Sequence, residues 1–192
     1  MQTRTFDTLS PELALGAVEA AYGLRLDGTV TPYPSYVNRV YGVRDEERRR
    51  FVAKFYRPGR WSREAILEEH RFVLDCAAAE LPVVSPLATA ADTTLASSGE
   101  YAFALYPLRS GRGFDAEGDE DWLRLGTLVG RVHAVAASGQ ARHRLRCTPR
   151  ESTARFLEEL RSAGVVAADC REAFFGLAEE APADGRGRLP LP

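Results

Sequence analysis

Three cysteines, Cys76, Cys147 and Cys170, are all this 192-residue chain has. Their number is odd and their spacing wide, so they match neither a disulfide framework nor a metal-binding motif. Each reads as a buried free thiol in a reducing compartment, and the expected location is the cytoplasm. No apolar run approaches the roughly 20 residues that a membrane span needs. The first residues, Met1-Gln2-Thr3-Arg4, lack the apolar stretch of a signal peptide. Net charge is only -2, so no overall basic field points to nucleic acid. Histidine is scarce too, with three residues. What the chain does have is 45% hydrophobic and 27% charged residues, the balance of a globular fold with a core of its own.

Inside that balance one stretch stands out, Phe51-Val52-Ala53-Lys54-Phe55-Tyr56. It is an apolar run of high strand propensity with a lysine in its middle. A buried ammonium is costly unless an anion meets it. The alternative is a lysine snorkelling from an edge strand, and this stretch alone does not separate the two. Upstream lies a turn-rich segment, Pro34 to Tyr41, and downstream a helix carrying Glu68 and Glu69. A phosphate-covering loop, a strand lysine and a helix glutamate together form the nucleotide-gripping half of a kinase-like fold.

The flanking pattern fits. Ser10-Pro11-Glu12 opens a first helix that Gly23 closes. A strand through Leu24 and Leu26 runs into an expected turn at Asp27-Gly28. Strands over about 38–43 and 49–56 then complete a meander, with the hairpin turn at 44–47. Ser62 caps a helix over about 63–79. On it Ile66, Val73 and Cys76 share a face with Glu69, while Glu68 is rotated away by about 100°. Glu69 is therefore the carboxylate expected to meet Lys54. Further strands are expected near Leu87, over 93–96 and over 101–105. A glycine-rich, charged linker from Arg109 to Asp121 marks the expected boundary between a lobe at 1–108 and a helical lobe at 109–192. Helices follow from about Trp122 to His133, from Thr148 to Arg161 and from 169 to 179, with a disordered tail from about 181. His70 reads as exposed, His133 as a packing residue and His143 as part of a solvated loop. The acidic run Asp119-Glu120-Asp121 reads as a dipole partner of the helix it precedes.

Asn38-Arg39-Val40-Tyr41, Arg48 to Trp61 and Ile66-Leu67-Glu68-Glu69-His70 together resemble the bacterial stress response kinase A branch of the aminoglycoside/choline phosphotransferase-like kinases. The resemblance implies an α+β, protein-kinase-like bilobal fold: an antiparallel-sheet N-lobe with one main helix, then the first helices of an incomplete α-helical C-lobe. It implies ATP as cofactor, with Mg²⁺ in the full-length family. Ser35, Tyr36, Asn38 and Arg39 match the loop over the triphosphate, Lys54 the phosphate-contacting lysine and Glu69 its helix partner. Tyr106 to Leu108 match the hinge that meets the adenine edge. The family's His-Gly-Asp-x-His-x-x-Asn loop and its later metal-binding aspartate do not occur here, so no catalytic residue and no metal ligand is assigned. The expectation is a serine/threonine protein kinase truncated before its catalytic loop, itself inactive, with a nucleotide and (in full-length relatives) a protein substrate as partners. Nucleic acid and membrane are not expected partners. The alternatives are a non-catalytic nucleotide-binding module and a phosphotransferase acting on a small aminoglycoside-, choline- or homoserine-like acceptor.

Overall fold

The computed structural model describes residues 6–111 and 113–184. Helix α1 (Pro11–Tyr22) starts where expected: the Ser10 hydroxyl accepts the Leu13 N–H, and Gly23, at φ 63°, closes the last turn. It buries Ala14 and Val18 against one face of a five-stranded antiparallel sheet. The strands are β1 (Leu26–Tyr33), β2 (Arg39–Asp45), β3 (Arg50–Phe55), β4 (Ala96–Ser98) and β5 (Tyr101–Pro107), in the spatial order β1-β2-β3-β5-β4.

The expected meander is β1-β2-β3, with two local differences. Asp27-Gly28 is no turn. It lies inside β1, where the register slips between Leu26 and Val30 and Gly28 adopts φ 83°, so the dipeptide makes a bulge. The β2–β3 turn sits slightly later than its charge pattern suggests, because Asp45 is buried and organises it. Its carboxylate accepts the backbone N–H of Arg49 at 2.7 Å and the guanidinium of the same residue at 2.6 Å, and Arg48 takes φ 67°. No strand forms at Leu87, whose N–H instead donates to Leu105 O at 2.8 Å.

Strand parity decides what each face becomes. Phe51, Ala53 and Phe55 join Tyr41, Val43, Phe103 and Leu105 in a dry core beneath α1. Val52, Lys54 and Tyr56 point to the other side. There α2 (Arg63–Ala78), capped by Ser62, packs Ile66 with Tyr56, Leu95 and Ala104.

The contacts divide the chain into two compact units, 1–143 and 144–192. α3 (Asp119–Ala137) belongs with the sheet. Arg131 donates to the carbonyls of Ala79 and Glu80 at the end of α2, and Glu68 accepts the N–H groups of Arg142 and His143 at 2.7 and 2.9 Å. In the second unit α4 (Pro149–Ala163) and α5 (Arg171–Asp184) bury Leu157 and Phe175, and Arg161 lies over the Phe175 ring and pairs with Glu179.

The expectation of an incomplete helical lobe is corrected: three ordered helices form, α3 to α5. The reason is local. α4 has a Thr148 cap and a left-handed Gly164 at its end, and its partner α5 covers its apolar side. α5 continues to Asp184, past the point at 181 where the tail was expected; residues 185–192 lie outside the described part. The cysteines also differ, since Cys76 is buried while Cys147 and Cys170 are exposed. Among the described residues no helix is long and apolar enough to cross a membrane.

Candidate functional site

Lys54 enters the site from β3, opposite Val40 on one side and Ala104 on the other. Its ammonium donates to Glu69 Oε1 at 2.9 Å, and both side chains keep about a quarter to a third of their surface open, 26% and 31%. The pair is thus partly desolvated yet reachable from outside. Lys54 Nζ also lies 4.5 Å from the centre of the Tyr56 ring. The strand places Tyr56 two residues on, so both side chains leave the same face. Lys54 is the only lysine in the chain.

Behind the pair the structure departs from expectation at a histidine. His70 is buried, 1% exposed, not exposed on a helix flank. It follows Ile66 by one helical turn and so shares its inward stripe, a signal that the adjacent Glu69 obscured. Its Nε2 lies 2.8 Å from the Tyr56 hydroxyl and its Nδ1 2.8 Å from Thr94 Oγ1. Burial holds its pKa down, from 6.5 to about 4, with the nearby Glu69 opposing the shift and the Lys54 charge adding to it. The ring is therefore neutral near pH 7. Tyr106 closes the group, its hydroxyl 3.3 Å from that of Tyr56 and 3.4 Å from His70 Nε2. Burial pushes the hydroxyl pKa values of Tyr56 and Tyr106 upward, so both remain donors.

The other candidates fall in different places. Ser35 Oγ accepts the Asn38 N–H at 3.3 Å, which makes the β1–β2 connection a side-chain-closed turn. Tyr36 at its tip is fully exposed. Arg39 pairs with Phe55 across the strands, so it leaves the opposite face from Lys54, and its guanidinium lies 5.5 Å over the Phe6 ring. The Leu108 N–H donates to Arg50 O at 2.9 Å and so extends the β3–β5 ladder. Lys54, Glu69 and Tyr106 therefore gather around Tyr56, and Arg39 does not join them. His133 is exposed on α3, contrary to its reading as a packing residue. Among the described residues no group of three or more His, Cys, Asp or Glu side chains could hold a metal ion.

Comparison with known proteins identifies the family. A model of the phosphotransferase enzyme family matches residues 29–190. This chain belongs to that family. Stress response kinase A of Salmonella typhi is 46% identical over 129 residues, 67% of this chain and 39% of that protein. Its counterpart in Escherichia coli K12 is 43% identical over 140 residues, 73% of this chain and 42% of that one. The chain thus spans about two-fifths of the length of the curated relatives it matches. Among solved structures, an amicoumacin kinase in complex with AMP-PNP and Ca²⁺ aligns with a TM-score of 0.68 at 16% identity, covering 98% of this chain and 56% of that one. A spectinomycin phosphotransferase in complex with ADP and spectinomycin aligns at 0.58 and 12%, covering 94% and 59%. At those identities the likeness establishes the fold.

These findings correct the expectation of a serine/threonine protein kinase cut off before its catalytic loop. The family match runs on to residue 190, and the solved likenesses cover nearly the whole chain.

Proposed function

We propose that this chain grips ATP as part of a phosphotransferase that passes the terminal phosphate to a hydroxyl of a small molecule. The Lys54–Glu69 pair carries the reading: a 2.9 Å contact on a sheet face, open enough for an anion to share the ammonium. The polyphosphate would accept from the ammonium while Glu69 keeps it oriented. The turn closed by Ser35 stands beside the same face, since Tyr33 and Val40 bracket it and Val40 pairs with Lys54. Backbone N–H groups in such a turn suit phosphate oxygens. Val40, Val52 and Tyr106 are half-buried on this face and offer a base an apolar floor. ATP therefore fits the residues present. A divalent ion finds no ligand set among the described residues, and no step is assigned to one. The small-molecule acceptor is supported by the family match and by the amicoumacin and spectinomycin kinases among the solved likenesses.

The single lysine makes the test direct. Acylation of Lys54 is followed by mass spectrometry with and without ATP. Protection by ATP is expected, and an unchanged rate at saturating nucleotide overturns the reading. The acceptor is tested by ATP turnover with a panel of aminoglycosides, choline and homoserine. Turnover stimulated by a protein substrate and by none of these would overturn the small-molecule assignment.

A further inference from the structure

The Lys54 ammonium has two neighbours of different character. Glu69 is an anion, and an arriving polyphosphate competes with it for the same N–H groups. The Tyr56 ring, 4.5 Å away, attracts the ammonium through its π face, and a phosphate does not compete for that face. Tyr56 is also well fixed. It is buried, its hydroxyl is held 2.8 Å from His70, and His70 is held in turn 2.8 Å from Thr94, which lies just ahead of β4. One assignment satisfies every group: Nδ1–H of a neutral His70 donates to Thr94 Oγ1, and Nε2 accepts from the Tyr56 hydroxyl. Among the described residues no buried side-chain polar atom is left without a partner.

We infer that Tyr56 is a positioning residue for Lys54, its ring a fixed platform that keeps the ammonium in place while Glu69 is shared with nucleotide, and that His70 and Thr94 anchor that platform. The inference rests on the nucleotide-gripping reading for its purpose, though not for its geometry. It also explains why a histidine is buried beside an ion pair. Its task is to hold a phenol.

The test reads Lys54 itself. Acylation of the wild-type chain, Tyr56→Phe and Tyr56→Leu is followed without nucleotide, and then a fluorescent ATP analogue is titrated into each. Tyr56→Phe keeps the ring and loses the anchor; Tyr56→Leu loses both. The expected acylation order is wild type, then Phe, then Leu, with rises of about twofold and about fivefold. Analogue affinity should fall in the same order by similar factors. A thermal melt of each variant separates positioning from loss of fold. Should the Leu variant fail to fold, Tyr56→Phe decides alone. Acylation of Tyr56→Phe at the wild-type rate overturns the inference. If wild type binds no analogue while acylation still rises in the variants, the nucleotide reading fails and the platform stands.

Discussion

The two faces of β3 are built from alternate residues of one strand, and they differ in almost every physical respect. Phe51, Ala53 and Phe55 look toward α1, into a core where Phe55 stacks on Phe103 at 4.8 Å. Val52, Lys54 and Tyr56 look toward α2 and meet a charge pair, a buried imidazole and two phenols. The first face is apolar and closed. The second sets hydrogen-bonded polar groups beside a smaller apolar cluster and is partly open. The larger core therefore lies on one side and the proposed nucleotide site on the other, and a single-residue change of parity moves a mutation from one to the other.

The sharpest way to break the comparison is to cut into the closed face. Phe55→Ala removes a fully buried ring and should cost about 3–5 kcal/mol, a large part of a typical domain's stability. Urea unfolding would measure it. Loss of nucleotide binding should then track loss of fold. A folded Phe55→Ala chain with native stability would mean that the two faces are not divided in this way.

A titration probes the open face as a whole. His70 has a folded-state pKa of about 4 against an ordinary 6.5, so the unfolded chain binds the proton more readily. Its contribution is complete above pH 6.5 and is lost as pH falls from there toward 4. The polar surroundings limit the effect to roughly 2–3 kcal/mol. Denaturant midpoints at several pH values should show the drop, and His70→Gln should flatten it. An unchanged slope in that variant would remove His70 as the cause.

Much of this division was legible in the amino-acid sequence, and the failures have a common physical origin. Lys54 could be placed because an ammonium within an apolar run needs an explanation, and Glu69 because helical spacing turned it inward while Glu68 faced elsewhere. Its being the chain's only lysine is a further signal. Arginine is a planar fork and lysine a compact point charge, so one lysine among many arginines marks a position where the fork does not serve. Arg39 was grouped with the phosphate loop because sequence proximity says nothing of strand register, and only its pairing with Phe55 reveals that it faces the other way. His70 was read as exposed because its partners Tyr56, Thr94 and Tyr106 come from three distant segments. Insertion of β5 beside β3 is equally non-local, and it puts Tyr106 and Lys54 on one face.

Substitutions at Lys54 should separate the faces cleanly. Lys54→Ala should weaken nucleotide binding about tenfold to a hundredfold, the scale of charge-assisted hydrogen bonds. Stability should change by no more than about 1 kcal/mol, because the ion pair is partly open to water. Lys54→Arg should bind more weakly than wild type, since the longer, planar guanidinium cannot set a compact point charge where the ammonium sits between the Tyr56 ring and Glu69 Oε1. Titration calorimetry beside a thermal melt would report both quantities. Full binding by Lys54→Arg would mean that only the charge matters there.

The smallest effect belongs to the loop, and it tests whether the open face extends that far. Ser35 closes its turn through one hydrogen bond, to the Asn38 N–H at 3.3 Å, and both residues are near solvent. Removing the hydroxyl should cost about 0.5–1 kcal/mol locally and little in global stability, because the turn is exposed and water can replace the bond. If the turn presents its backbone to phosphate, loosening it charges an ordering cost to each binding event, and Ser35→Ala should weaken ATP binding by about twofold to fivefold. AMP lacks the outer phosphates that the turn would meet, so its affinity should barely move. Parallel titrations of ATP and AMP therefore decide the point. An equal loss for both nucleotides would mean that the turn only supports the strands, and the open face would then end at Lys54.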